Sequence, residues 1–318
     1  MTFLRIRPGF TANRLVLTPT GPRSMTLRGM ADAVASGSGV LLMSESFEDG
    51  DIGSRGWFDD PTVPVVADAR PGSTGTNSLD LSFALSATKP TGVDSARVSF
   101  TPSDSVYLSY WIKHSTNWVG SGQTYHPHIF SFLTDVDDPY IGPSITHLTL
   151  YDEIWYETGA GGMVYRMALQ DALNIDSSSI GVDLTATTED RAVCGANGQP
   201  ETGFVWDYFD YGGPLWTNYK TIDTSQVFTD ANKNDWHHIE TFWQMNTISG
   251  SIGQPDGIMQ MRIDGGAYLI NKNDVYFRTN KNPTMKFETF IIAPYIQDGA
   301  PAAQWMRVDD MVIATALL

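Results

Sequence analysis

The chain has 318 residues, 12% of them aromatic, a single cysteine (Cys194) and a formal charge of −16. No run of about 18 apolar residues occurs, which excludes a membrane-spanning helix, and one cysteine excludes an intrachain disulfide framework. Glycine (29) and proline (17) are frequent and long helical periodicity is missing, so an all-β chain with many turns is expected.

The charge is unevenly spread. In residues 1–43 five arginines (Arg5, Arg7, Arg14, Arg23, Arg28) face one acid, Asp32, a net of about +4 that leaves about −20 for the rest. Residues 1–39 read as an arm. It has weak alternation over Arg5–Arg14, a turn-rich break at Thr18–Pro22, a short helix over Met25–Val34 and a small-residue linker over Ala35–Gly39. A basic arm on an acidic body predicts docking on an acidic protein surface, its own or a neighbour's; a disordered tail is the alternative. Nucleic acid is disfavoured, because the arginines are sparse and the body repels phosphate. The start, MTFLRIRPGFTANRL, lacks the apolar run and cleavage site of a secretory signal. No signal peptide is expected, and assembly into a virus particle inside a cell is one route by which such a chain reaches its destination.

The domain begins at Val40, and strands follow at Val63–Val66, Leu79–Leu85, Arg97–Phe100, Val106–Lys113, His128–Leu133, His147–Tyr151 and Tyr165–Gln170. Alternation is clearest in Val106–Lys113, where Val106, Leu108, Tyr110 and Ile112 share one face and Tyr107, Ser109, Trp111 and Lys113 the other. Residues 171–234 break the rhythm and read as a long insertion, a kind of segment that is commonly functional or interface-forming. Cys194 lies within it, in a glycine-rich context without a metal-type partner. The chain then forms a half-buried hairpin. Trp236–Asn246 sets Ile239, Trp243 and Met245 against Glu240, Gln244 and Asn246, and Ile258–Ile263 alternates again after Asp256-Gly257. Asp264-Gly265-Gly266 is a tight-turn signal, because glycine tolerates the positive φ such turns demand. Phe287–Ala293 and Met306–Ala314 complete the strands.

The order Trp236-His-His-Ile-Glu240, long strand, Asp-Gly, strand with a basic residue, Ile263-Asp-Gly, strand resembles the concanavalin A-like jelly rolls. That superfamily includes laminin G-like modules, legume-type lectins and several polysaccharide lyases. The resemblance covers roughly residues 40–318. Within it TYHPHIFSFLTD, THLTLYDE, FIIAPYI and WMRVDDMVIA look like a bacterial and phage branch similar to polysaccharide lyases. It implies a jelly-roll sandwich of two antiparallel sheets, with the last strand beside the first.

The resemblance also implies a structural calcium between those two strands. Calcium takes about six to eight oxygens, and Glu48, Asp49, Asp51 and Asp309 are the candidate ligands; a solvated acidic turn is the alternative. Asp135, Asp137 and Asp138 form a weaker acidic cluster. If the register places them on one surface, Trp111, His147, Tyr151, Arg166, Gln170, Gln244, Asn246, Gln260 and Arg262 would suit a sugar: rings stack on C–H faces, and amides and guanidinium groups bond hydroxyls or carboxylates. An ordinary half-exposed sheet face is the alternative. The catalytic extension is β-elimination on a uronic-acid polymer, which needs a cation or amide for the carboxylate, a base and an acid. His147, Tyr151, Arg166, Gln244 and Arg262 could supply these, with His126 and His128 nearby, but the dense strand motifs of the better-known lyases are missing. No paired carboxylates on one strand suit glycoside hydrolysis, and phosphate-loop and zinc-protease motifs are absent. The expectation is therefore a non-enzymatic decoration protein of a virion or other extracellular assembly, presenting a lectin-like surface and self-associating through its arm. A polysaccharide lyase and a free carbohydrate-binding module are the alternatives.

Overall fold

Strand residues that alternate between apolar and polar can bury one face only, so two sheets must meet on their apolar sides. The computed structural model, which describes residues 38–123, 127–142, 146–157, 162–170, 221–278, 280 and 282–318, shows that arrangement. In chain order the strands are β1 (Leu41–Glu45), β2 (Phe58–Asp59), β3 (Val65–Val66), β4 (Ser78–Phe83), β5 (Ala96–Ser103), β6 (Ser105–His114), β7 (His128–Thr134), β8 (Thr149–Glu157) and β9 (Gly162–Gln170). They continue with β10 (Thr221–Thr229), β11 (His237–Gln244), β12 (Ile248–Ser249), β13 (Ile252–Gly253), β14 (Gly257–Ile263), β15 (Ile270–Val275), β16 (Phe287–Tyr295) and β17 (Gln304–Ala314).

The larger sheet runs β15-β14-β11-β6-β17-β4-β3, with β1 also paired to β17, and the second runs β10-β9-β8-β7-β16-β5-β2. All pairings are antiparallel, and this is the concanavalin A-like jelly-roll sandwich. As expected, the first domain strand lies beside the last. β17 pairs β4 through Val308 and β1 from Met311 onward; at the change of partner the ladder bulges and Asp310 takes φ 45°. The turn after β14 has positive φ at Asp264 and Gly265, as the sequence predicts.

Between the sheets Val106, Leu108, Tyr110 and Ile112 of β6 are fully buried. Tyr110 meets Phe130 edge-on at 4.8 Å, and Phe130 packs on Phe290. One carboxyl lies in this core. Asp152 accepts hydrogen bonds from Tyr110 (3.2 Å), Thr241 (3.4 Å) and Tyr165. Burial raises it far above the ordinary carboxylate range; protonated, it is a neutral hub joining the two sheets.

Two expectations are corrected here. The insertion does not extend to residue 234, since Thr221–Thr229 form edge strand β10 on β9. The strand expected over His147–Tyr151 starts later and runs to Glu157, carrying Asp152 inward and Glu153 outward, where acidic residues obscured the pattern. The arm through residue 37, residues 171–220, His126 and Cys194 lie outside the described residues. Among the described residues no helix is long and apolar enough to cross a membrane.

Candidate functional site

The topology separates the residues expected on one surface. β6, β11 and β14 are neighbours, so Trp111, Gln244, Gln260 and Arg262 share the outer face of the larger sheet. β8 and β9 belong to the other sheet, where Tyr151 and Arg166 point away from the core on the opposite side of the sandwich. Alternation states whether a side chain points in or out, and it is silent on which sheet the strand joins.

The outer side of the second sheet is closed. Tyr151, Trp155 and Leu133 are 5%, 2% and 1% exposed although they face away from the core. His128 stacks on Tyr151 at 4.6 Å and pairs with Glu153, and the Arg166 guanidinium lies 3.8 Å from the Trp155 ring centre. Burial, helped by the charge of Glu153, raises the Tyr151 hydroxyl well above its ordinary value, which unsuits it to proton transfer at neutral pH. His147 sits before β8, its Nδ1 2.7 Å from Asp137, whose carboxylate also accepts the His147 amide. Gln170 ends β9, and its side chain lies outside the described residues.

The outer face of the larger sheet centres on a carboxylate. Glu240 lies opposite Ser109 on one side and Arg262 on the other. It accepts Arg262 Nε on Oε2 and Arg262 Nη2 on Oε1, both at 2.7 Å, and the Tyr107 hydroxyl on Oε1 at 2.7 Å. Burial pushes Glu240 up, but these hydrogen bonds and the guanidinium charge outweigh it, so the carboxyl stays below its ordinary range and ionised. The same contact raises Arg262, and burial followed by the bond to Glu240 raises Tyr107. Arg262 Nη1 has no hydrogen-bond partner among the described residues, and the guanidinium lies 5.6 Å from the Tyr268 ring centre. Tyr107, Glu240, Thr241, Phe242, Arg262, Tyr268 and Leu317 line a small recess. Its floor belongs to a small apolar cluster of Tyr107, Phe242, Ile258, Ala314 and Leu317 on this face.

Beside the recess, His238 and Trp111 stack at 4.9 Å with an interplanar angle of 16°, and Arg70 lies 4.9 Å from the same indole centre. β6 lies between β11, which carries His238, and β17, to which Arg70 is tied through Asp309 and Asp310. Trp111, expected as a sugar platform, thus has both His238 and Arg70 against its ring. His238 Nε2 is 2.7 Å from Ser109 Oγ. Burial, with the Arg70 and Arg262 charges, lowers this histidine despite Glu240 and Asp264, so it is neutral at neutral pH.

Two other predicted residues are structural. Asn246 is fully buried: it accepts the amides of Phe277 and Arg278 at 2.7 Å and donates to Arg278 O at 3.0 Å. It lies past the end of β11, where the alternation no longer holds. Gln260 is 4% exposed and donates to Asn271. Gln244 remains half-buried at the end of β11.

The acidic residues expected to hold calcium have other partners. Among the described residues no group of three or more His, Cys, Asp or Glu side chains is placed to hold a metal ion. Glu48 Oε2 accepts the Thr76 amide, Asp49 pairs with Arg55, Asp51 caps a 3-10 turn at Ser54, and Asp309 accepts the amides of Arg70 and Asp310. N–H donors point at the oxygens a cation would need. Only Glu48 Oε1 of this set is buried without a partner, one oxygen where calcium takes about six to eight. In the weaker cluster Asp135 and Asp138 likewise accept the amides of Lys286 and Tyr140.

Tyr107, Glu240, His238 and Tyr268 were not singled out from the sequence. The signal was the cross-strand register: pairing Glu240 with Arg262 follows once β11 and β14 are aligned through their connection.

No family model matches the chain, and no curated protein matches it in sequence. Its fold is similar to that of the alginate lyase vAL-1 from Chlorella virus, with a TM-score of 0.51 at 12% identity over 87% of this chain and 100% of that one. Alginate lyase Aly36B (TM-score 0.46, 12% identity, 86% and 95% covered) and the PL-14 alginate lyase from Aplysia kurodai (0.47, 12%, 87% and 99%) are more distant in shape. At such identities the likeness is one of fold.

Proposed function

We propose that the protein is a polysaccharide-binding jelly roll whose ligand lies on the outer face of the larger sheet, at the recess around Arg262. The observation that carries this is the character of the recess. An apolar floor of Phe242 and Leu317 meets a hydrogen-bonding wall of Tyr107, Glu240 and Arg262 on the outer face of the larger sheet. Sugars present the same two characters, a C–H face and a rim of hydroxyls, and ligand sites of this kind combine apolar lining with a few fixed polar groups. Titration calorimetry with a polysaccharide panel tests it: at least one member binds the wild type, and Arg262→Ala weakens that binding at least about tenfold. No binding across the panel would overturn it.

A second reading, a lyase acting on uronic-acid polymers by β-elimination, is favoured by the fold shared with the Chlorella virus alginate lyase and by a neutral histidine beside a guanidinium. Arg262 would neutralise the substrate carboxylate, His238 would take the C5 proton and Tyr107 would protonate the leaving oxygen. Against it, Arg262 and Tyr107 are already committed to Glu240. New ultraviolet absorbance from unsaturated uronides on incubation with alginate or glucuronan would establish this reading; the binding reading predicts none.

A further inference from the structure

We infer that the recess selects neutral sugars and turns acidic ones away, with Glu240 as the specificity-determining residue. This rests on the reading that the recess holds a glycan, and it names the class of glycan.

A uronate carboxylate is best held by a forked guanidinium and a hydroxyl donor. The recess contains that arrangement, and the protein's own carboxylate occupies it. Arg262 gives Nε and Nη2 to Glu240, and Tyr107 gives its hydroxyl, all at 2.7 Å. A ligand carboxylate cannot take this place without displacing Glu240, which is 5% exposed and would become an uncompensated buried charge. Placed beside it, the ligand would face an ionised carboxylate and a guanidinium already neutralised, on a chain of charge −16. Of the other basic groups beside it, His238 is kept neutral by burial and Arg70 is paired with Asp310.

A neutral sugar meets none of this. Its hydroxyl oxygens can accept from Arg262 Nη1, which points at no other partner among the described residues. Its C–H face can rest on Tyr268, Leu317 and Phe242, which line the same recess. The pairing thus turns a cation that would attract any anion into a neutral, oriented donor. Discrimination of this kind comes from a built-in repulsion as much as from attraction.

The test uses stereochemically matched pairs of oligosaccharides: glucan with glucuronan, mannan with mannuronan, galactan with galacturonan. Each is titrated into the full-length wild type and Glu240→Gln. In at least one pair the wild type binds the neutral member at least about tenfold tighter. Glu240→Gln keeps an acceptor for Tyr107 but frees the Arg262 charge, and shifts that ratio toward the uronate by about tenfold or more. A wild type that prefers the uronate overturns the inference and leaves glycan binding standing, as does a ratio unchanged in a folded Glu240→Gln. Binding of no member of any pair removes both. If Glu240→Gln fails to fold, the wild-type ratio alone decides.

Discussion

At the residue scale, Glu240 and His114 show how a single buried group sets local behaviour. Truncating Glu240 to alanine strands the Arg262 guanidinium and the Tyr107 hydroxyl, and a cost of about 1–3 kcal/mol in chemical unfolding is expected. His114 is a different case. It is fully buried on β6 between Trp118 and Phe228, and neither ring nitrogen has a hydrogen-bond partner among the described residues. Burial first, then the His237 and Lys233 charges, lower it from 6.5 to about 3. Between those values the unfolded chain binds a proton that the folded chain does not. Stability therefore falls as pH drops below 6.5, by up to about 1.4 kcal/mol per pH unit, and this contribution levels off only near 3. His114→Phe removes both the unpartnered nitrogens and the proton linkage. Thermal melts between pH 4 and pH 6.5 should show the variant more stable than the wild type, with the gap widening toward acid; a constant gap would contradict the assignment. Asp152 has the opposite sign. Its raised folded value means that stability is lost as pH climbs above the ordinary carboxylate range, and Asp152→Asn should flatten the alkaline side of the profile.

At the element scale, the sequence revealed the strands more readily than their partners. β6 could be read residue by residue, because Val106–Lys113 alternates without a break and its inward side is fully buried. The Asp264-Gly265 turn was equally legible, since its chemistry is local. The candidate site was not, because it depends on which strands become neighbours. Tyr151 and Arg262 look equivalent in the sequence and lie on opposite sides of the sandwich. Trp111 reads as a free ring in the sequence, but Arg70, from a distant loop, and His238, from the neighbouring strand, both lie against it. Asp309 looked like a metal ligand, yet its carboxylate secures the point where β17 changes partner. Burial first, opposed by the amides it accepts, raises it to about 6. Asn246 makes the element-level prediction. It ties the end of β11 to the segment after β15, and Asn246→Ala leaves the Phe277 and Arg278 amides without their acceptor. Each orphaned amide costs about 1–3 kcal/mol, visible as a lowered denaturant midpoint.

At the scale of the whole molecule, a jelly roll with a chain charge of −16 carries an internally paired guanidinium and carboxylate on the outer face of its larger sheet. The fold is similar to that of the Chlorella virus alginate lyase, and a fold alone assigns no activity, since function belongs to the site. The basic residues of the predicted arm lie outside the described residues, so self-association through it is a proposal from the sequence. Light scattering of the full chain against one beginning at Val40 tests it: assembly of the first and a folded monomer of the second would support a connector, and two monomers would remove it. The most direct test of the central claim is hydroxyl-radical footprinting with and without a polysaccharide that binds. Protection of Tyr268 and Leu317 is predicted, with no change at Tyr295 on the other sheet; protection of Tyr295 with none at Tyr268 and Leu317 would contradict the assignment of the glycan to the larger sheet.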